Sequence, residues 1–281
     1  MSVIKTQPWL YEFIELCEEQ SGKDASYIQC ETLCGPLEGL KPKSTPEVWQ
    51  YELQNYGLFE PYEWSNLKST LKKLEDQKVW QIVEQEYQYL RKLWKGPKVS
   101  IYIFPIKNAN MKSGKQTPNK NGVAYSGSLF LFVSVDLPLT ELKALIAHEY
   151  NHVCRIKHLD LASNKITLKD SLIIEGLGEY AVKDLYGEKW LGPWVNLYSF
   201  EDASAIWKRR FIPSLNVQDI NNHYPFLYGK ARGPLPKWIG YHLGFQIVDS
   251  YQQKHGPFKK GELYYKSSDE IIAGSKFAID E

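Results

Sequence analysis

A chain of 281 residues with 43% apolar and 24% charged side chains has the composition of one large or two modest folded domains, which excludes disordered, collagen-like and coiled-coil architectures. Its 34 Lys plus Arg against 33 Asp plus Glu leave a formal charge of +1, so no long-range field recruits nucleic acid or acidic membrane, and neither is expected as a partner. The apolar runs, such as Leu129 to Val133, fall far short of the roughly 20 residues of a membrane span, the N-terminal MSVIKTQPWLYEF has no signal-peptide core, and only four cysteines occur, so a cytoplasmic protein is expected.

In chain order, a helix is expected near Trp9 to Gln20, followed by a Gly/Pro-rich stretch around Gly35 to Pro42. From Pro46 to Trp94 apolar residues recur at spacings of three and four between Glu, Lys and Gln, which predicts two or three amphipathic helices. Ser44-Thr45-Pro46 provides a cap with proline at the first helical position, and Lys95-Gly96-Pro97 provides the stop. A helical region over 1–96 thus precedes a second region over 97–281.

The period changes after Pro97. KVSIYIFP alternates in the manner of a strand, Lys107 to Gly122 reads as a solvated loop carrying Lys107, Lys112, Lys115 and Lys120, and VAYSGSLFLFV forms either a hairpin turning at Ser126-Gly127 or one bulged strand. Helical periodicity returns at Thr140, expected to cap TELKALIAHEYNHVCRIKHL, and Thr167-Leu-Lys-Asp170 has the form of a capping box opening DSLIIEGLGEYAVKDLYG. Further helices are predicted near Glu201 to Arg210 and Lys237 to Lys254.

The chemistry is concentrated in His148-Glu149-Tyr150-Asn151-His152, an H-E-x-x-H pattern on an independently predicted helix. Residues four apart share a helix face, so both imidazoles reach one cation while Glu149 addresses a position beside it. Average residue usage produces this pattern by chance in on the order of one chain in a hundred of this length. Zinc suits the set, because it accepts imidazole nitrogen and carboxylate oxygen tetrahedrally and with three protein ligands keeps one position for water.

A third ligand is expected downstream. Glu175 and Glu179 are four apart, a like-charged pair that weakens a helix by about 0.2–0.5 kcal/mol, and Gly176 and Gly178 add about 1 kcal/mol each relative to Ala. A cation between this helix and the His148 helix accounts for both oddities. Glu175 is assigned as the ligand and Glu179 as acceptor for a histidine N–H, although spacing alone leaves the choice between the two open.

HEYNHVCR together with LIIEGLGEYA resembles the gluzincin clan of metallopeptidases, and in particular the YjaZ-like family of predicted Zn-dependent proteases, over about residues 85 to 270. The resemblance extends to Asn121 to Gly127 and to Pro236 to Val248. It implies an α+β, zincin-like fold: a small, mostly antiparallel sheet beside the His148 helix, preceded by N-terminal helices and followed by a mainly helical C-terminal part. It also implies that Glu175 completes the zinc site and Glu179 supports a ligand histidine. The chain departs from the clan in the 22 residues between His152 and Glu175, a slightly long spacing, and in Ile174, where Asn often precedes the ligand.

The expected activity is peptide-bond hydrolysis on a peptide or protein substrate, with Zn2+ as cofactor and Glu149 as general base. Tyr241, His242 and His223 are candidate donors to the developing oxyanion, and the resemblance, which aligns Gly240-Tyr241, favours Tyr241. The strand segment at Tyr125, Ser126 and Gly127 is the candidate substrate-pairing edge. The competing expectation is a non-catalytic protein that holds a peptide or partner on a zincin scaffold. Cys30 and Cys34, with Cys17, fit no strong metal spacing, and Cys154 is expected to turn away from the metal into the core.

Overall fold

Three helices stand where the 46–94 periodicity places them: α3 (Pro46–Tyr56), α4 (Trp64–Asp76) and α5 (Val79–Trp94), preceded by α1 (Gln7–Glu19) and the short α2 (Ala25–Gln29). The computed structural model describes residues 2–108, 119–125, 127–160, 162–230, 233–258 and 262–279, which leaves Ser126, Lys112 and Lys115 outside the described residues. Thr45 is extended at the N-cap of α3 with Pro46 at its first position, and α5 stops before Gly96-Pro97, each as its local chemistry requires.

The sheet has three strands in the order β1-β3-β2: β1 (Ser100–Pro105), β2 (Lys120–Tyr125) and β3 (Ser128–Val133). β2 and β3 form an antiparallel hairpin about Gly127, whose φ of +83° suits glycine, so the hairpin is realised and the single bulged strand is not. β1, however, pairs with β3 in parallel along its whole length, so the sheet is mixed where a mostly antiparallel one was expected. The alternation of KVSIYIFP has no bearing on that choice, because a period of two is the same in both directions. β3 is buried at every position, as befits a central strand. The loop expected from Lys107 to Gly122 is also shorter than its composition suggests, since its end from Lys120 onward is strand β2.

Helix α6 (Leu139–Leu159) begins after Pro138, so Thr140 lies inside the first turn and is not its cap. α7 (Leu168–Tyr186) opens on the expected capping box: Asp170 Oδ2 accepts the Thr167 backbone N–H at 3.1 Å and the Thr167 hydroxyl at 2.5 Å. Then come α8 (Phe200–Ile206), α9 (Ile220–Tyr228), α10 (Ile239–His255), α11 (Glu262–Tyr265) and α12 (Ser268–Gly274). No helix among the described residues is long and apolar enough to cross a membrane.

The chain forms two compact units, 1–93 with 98–149, and 94–97 with 150–281, a partition that groups the N-terminal helices with the sheet. The first has its core on β3 and on the fully buried Trp49, Phe13 and Tyr87. The second is built on α7 and α10, which cross at glycine. A Cβ on Gly176 would stand 2.1 Å from the carbonyl oxygen of Gly244, and one on Gly244 would stand 2.3 Å from that of Leu172. Gly176 is therefore demanded by α10 and not by a cation shared with α6, which corrects the expectation that metal accounts for it.

Candidate metal centre

α6 carries His148 and His152 one turn apart, and α7 brings Glu175 to them. One ligand atom from each of the three lies within 4.8 Å of the others, and all three side chains are half-buried. His152 Nε2 stands 3.6 Å from Glu175 Oε2, with 12% and 15% of the two side chains exposed. Zinc–nitrogen and zinc–oxygen bonds of about 2.0–2.2 Å at a tetrahedral angle put neighbouring donors about 3.4 Å apart, so this pair already stands at nearly the spacing of a loaded site. Two imidazoles and one carboxylate are moreover a donor set suited to zinc. The residues fit the ion.

Glu149, between the two histidines in sequence, is buried with 8% exposure and lies against the edge strand of its own unit. A Cβ at Gly122 of β2 would stand 2.5 Å from Glu149 Cγ and 2.8 Å from Oε1, so the absence of a side chain at 122 is what admits the Glu149 carboxylate. The sequence places Gly122 at the end of an expected loop and gives it no role in the site. The one local signal is that Gly122 directly precedes the apolar Val123-Ala124-Tyr125, since a glycine within a strand marks close approach.

The hairpin register identifies which backbone groups of β2 face outward. The Ser134 N–H donates to the Asn119 carbonyl at 2.9 Å, and with the pairing of Asn121 to Phe132 and Tyr125 to Ser128 this directs the odd-numbered residues of β2 onto β3. The N–H and C=O groups of Lys120, Gly122 and Ala124 point away from β3. Among the expected substrate-edge residues, Tyr125 belongs to the inward-bonded set, Gly127 is the hairpin turn, and Ser126 lies outside the described residues.

Glu179, one turn beyond Glu175, is buried and accepts the Gly192 backbone N–H at 2.9 Å, which ties the loop after α7 to that helix. Tyr241 on α10 is buried among Trp194, Tyr228 and Trp238, and its hydroxyl donates to that of Tyr228 at 3.0 Å. His223 has both ring nitrogens engaged, Nδ1 with the Ser171 hydroxyl at 2.7 Å and Nε2 with the Val217 carbonyl at 2.9 Å, which makes it a structural histidine. His242 is buried with Nδ1 at 3.2 Å from the Trp194 carbonyl, and burial lowers its pKa against the smaller opposing pull of the Trp194 and Val195 carbonyls.

All four cysteines are free and buried. Burial pushes the Cys154 thiol up to about 12, the behaviour of a packed thiol and not of a reactive one.

The helix that carries His148 and His152, with Glu175 beside it, defines a candidate zinc-binding site. Residues 79–273 match the family described as "Predicted Zn-dependent protease (DUF2268)", and the chain belongs to that family. It is 36% identical over 203 residues to the uncharacterized protein YjaZ of Bacillus subtilis (strain 168), covering 71% of this chain and 75% of that one. It is also 29% identical over 127 residues to the uncharacterized protein YjfC of the same organism, covering 42% of each. No solved structure matches the chain.

Proposed function

We propose that this chain is a zinc-dependent peptide-bond hydrolase of the gluzincin type, in which His148, His152 and Glu175 hold the metal and Glu149 is the general base. The observation that carries this reading is the convergence of three ligand atoms within 4.8 Å, with Glu149 next in sequence to one of them and buried against Gly122 on one face of β2. Membership of a family described as predicted Zn-dependent proteases supports it.

Bound zinc supplies Lewis acidity that acidifies water towards a pKa of about 7 and polarises a carbonyl. Glu149 removes the proton from the attacking water and delivers it to the leaving amine, a task for a carboxylate that burial shields from bulk solvent. Glu179 orients a ligand histidine by accepting its N–H, and the Tyr241 hydroxyl donates to the developing oxyanion. An extended peptide pairs with β2 through the outward groups of Gly122 and Ala124, which sets its backbone alongside Glu149. Four free cysteines fit a reducing, cytoplasmic setting.

The test combines metal analysis with a quenched-fluorescence peptide library, with and without chelator. Glu149→Gln is expected to retain stoichiometric zinc and lose cleavage by about 10²–10⁴-fold, and His148→Ala to lose both. Undiminished cleavage by Glu149→Gln would sink the mechanism. Stoichiometric zinc without chelator-sensitive cleavage of any peptide would favour a binding protein on the same scaffold.

A further inference from the structure

Strand β2 is held on two faces. Its even-numbered face presents Gly122 to Glu149, and its odd-numbered face meets helix α3, which lies outside the family match at 79–273. The Tyr125 hydroxyl donates to Glu52 Oε2 at 2.9 Å, and Lys41 Nζ holds the other oxygen of that carboxylate at 2.6 Å. The Lys41 ammonium stands 5.4 Å from the centre of the Tyr125 ring and 5.8 Å from that of Trp49, and the buried Trp49 meets Tyr125 edge-on at 5.3 Å. Toward the other end of the strand, Asn121 Nδ2 donates to the Tyr56 carbonyl at the end of α3, at 2.8 Å. The two anchors, at Asn121 and Tyr125, bracket Gly122 and Ala124, whose backbone groups face outward.

We infer that α3, through Glu52 and the Tyr56 carbonyl, is a positioning element for substrate: it fixes the twist and height of β2 so that an incoming peptide backbone pairs in register with Glu149. A strand bonded to the sheet along one edge frays readily, and one that must also receive a peptide strand needs its outward groups already in plane, because ordering them on binding costs affinity. Tyr125 therefore serves as an anchor directed to α3 and not as a contact directed to substrate. The inference rests on the hydrolase reading above, and it gives the N-terminal helices a part in substrate binding.

The experiment compares the zinc-loaded full chain with Tyr125→Phe, Asn121→Ala and the control Tyr51→Phe, an exposed tyrosine on the same helix. The probe is the quenched-fluorescence peptide that the unaltered chain cleaves fastest. Loss of one anchor to a charged or carbonyl acceptor is expected to raise KM about threefold to tenfold, with kcat changing less. Zinc affinity, read by competition with a chromophoric chelator, should stay within about twofold, and amide hydrogen exchange over 119–125 should quicken. Tyr51→Phe should match the unaltered chain.

Unchanged KM together with unchanged exchange over 119–125 would overturn the inference, as would a loss falling on kcat and zinc affinity alone. Retained cleavage in Glu149→Gln would instead condemn the hydrolase reading. The exchange measurement needs no turnover, so it judges the anchor even then.

Discussion

Tyr241 shows how one side chain can satisfy two descriptions until a measurement separates them. Its ring packs on Trp194, Tyr228 and Trp238, and its hydroxyl bonds to Tyr228, which is enough to account for a buried tyrosine on packing grounds. Tyr241→Phe preserves the ring and removes only the donor. If the hydroxyl meets the oxyanion, kcat should fall about 10²-fold while zinc affinity and melting temperature hold, because the lost bond exists only in the transition state. A kcat equal to that of the unaltered chain would return Tyr241 to packing alone. The same residue-level logic applies to Glu149, whose neighbour Gly122 shapes the site by having no side chain.

At the scale of the helices, α7 and α10 cross at Gly176 and Gly244, and this crossing governs how Glu175 is carried. Gly176 follows Glu175 directly, so the face that touches α10 and the ligand position are adjacent on one turn. Helix propensity alone would make Gly176→Ala stabilising by about 1 kcal/mol. A Cβ placed 2.1 Å from a backbone oxygen outweighs that gain, since neither helix backbone can yield without moving the other. The expected result is a net loss of about 1–3 kcal/mol in urea denaturation, with weakened zinc binding as α7 shifts. A more stable Gly176→Ala protein would mean that the two helices have slack.

On the scale of the whole chain, Arg155 joins distant stretches of sequence. It is 1% exposed on α6, and its guanidinium donates to the carbonyls of Tyr264 at 2.6 Å and Lys266 at 2.7 Å and to the Ser268 hydroxyl at 3.3 Å. Ser268 in turn donates to Asp170 Oδ1 at 2.6 Å, in the capping box of α7. Burial pulls the Arg155 pKa down and the Asp170 carboxylate restores part of it. Replacing Arg155 by Met would leave these carbonyls and a largely buried carboxylate without their cation, so a loss of about 3–5 kcal/mol is expected from equilibrium denaturation. A change under about 1 kcal/mol would mean that water takes over the role of the guanidinium.

The helices over 46–94, the capping box at Thr167 and the pairing of His148 with His152 were all readable from the residues alone, because each depends on interactions spanning only a few positions. The parallel partner of β1, the demand of α10 for glycine at 176, the seat of Glu149 against Gly122 and the turning of Tyr125 toward Glu52 were not readable. Each joins segments tens of residues apart, and no local period records which distant surface a side chain or a bare Cα will meet. Residue types and spacings therefore determined that two histidines share one helix face as a candidate metal-binding pair, with an acid next to one of them. Tertiary packing decided where Glu175 approaches, which strand lies beside the acid, and what holds that strand in place.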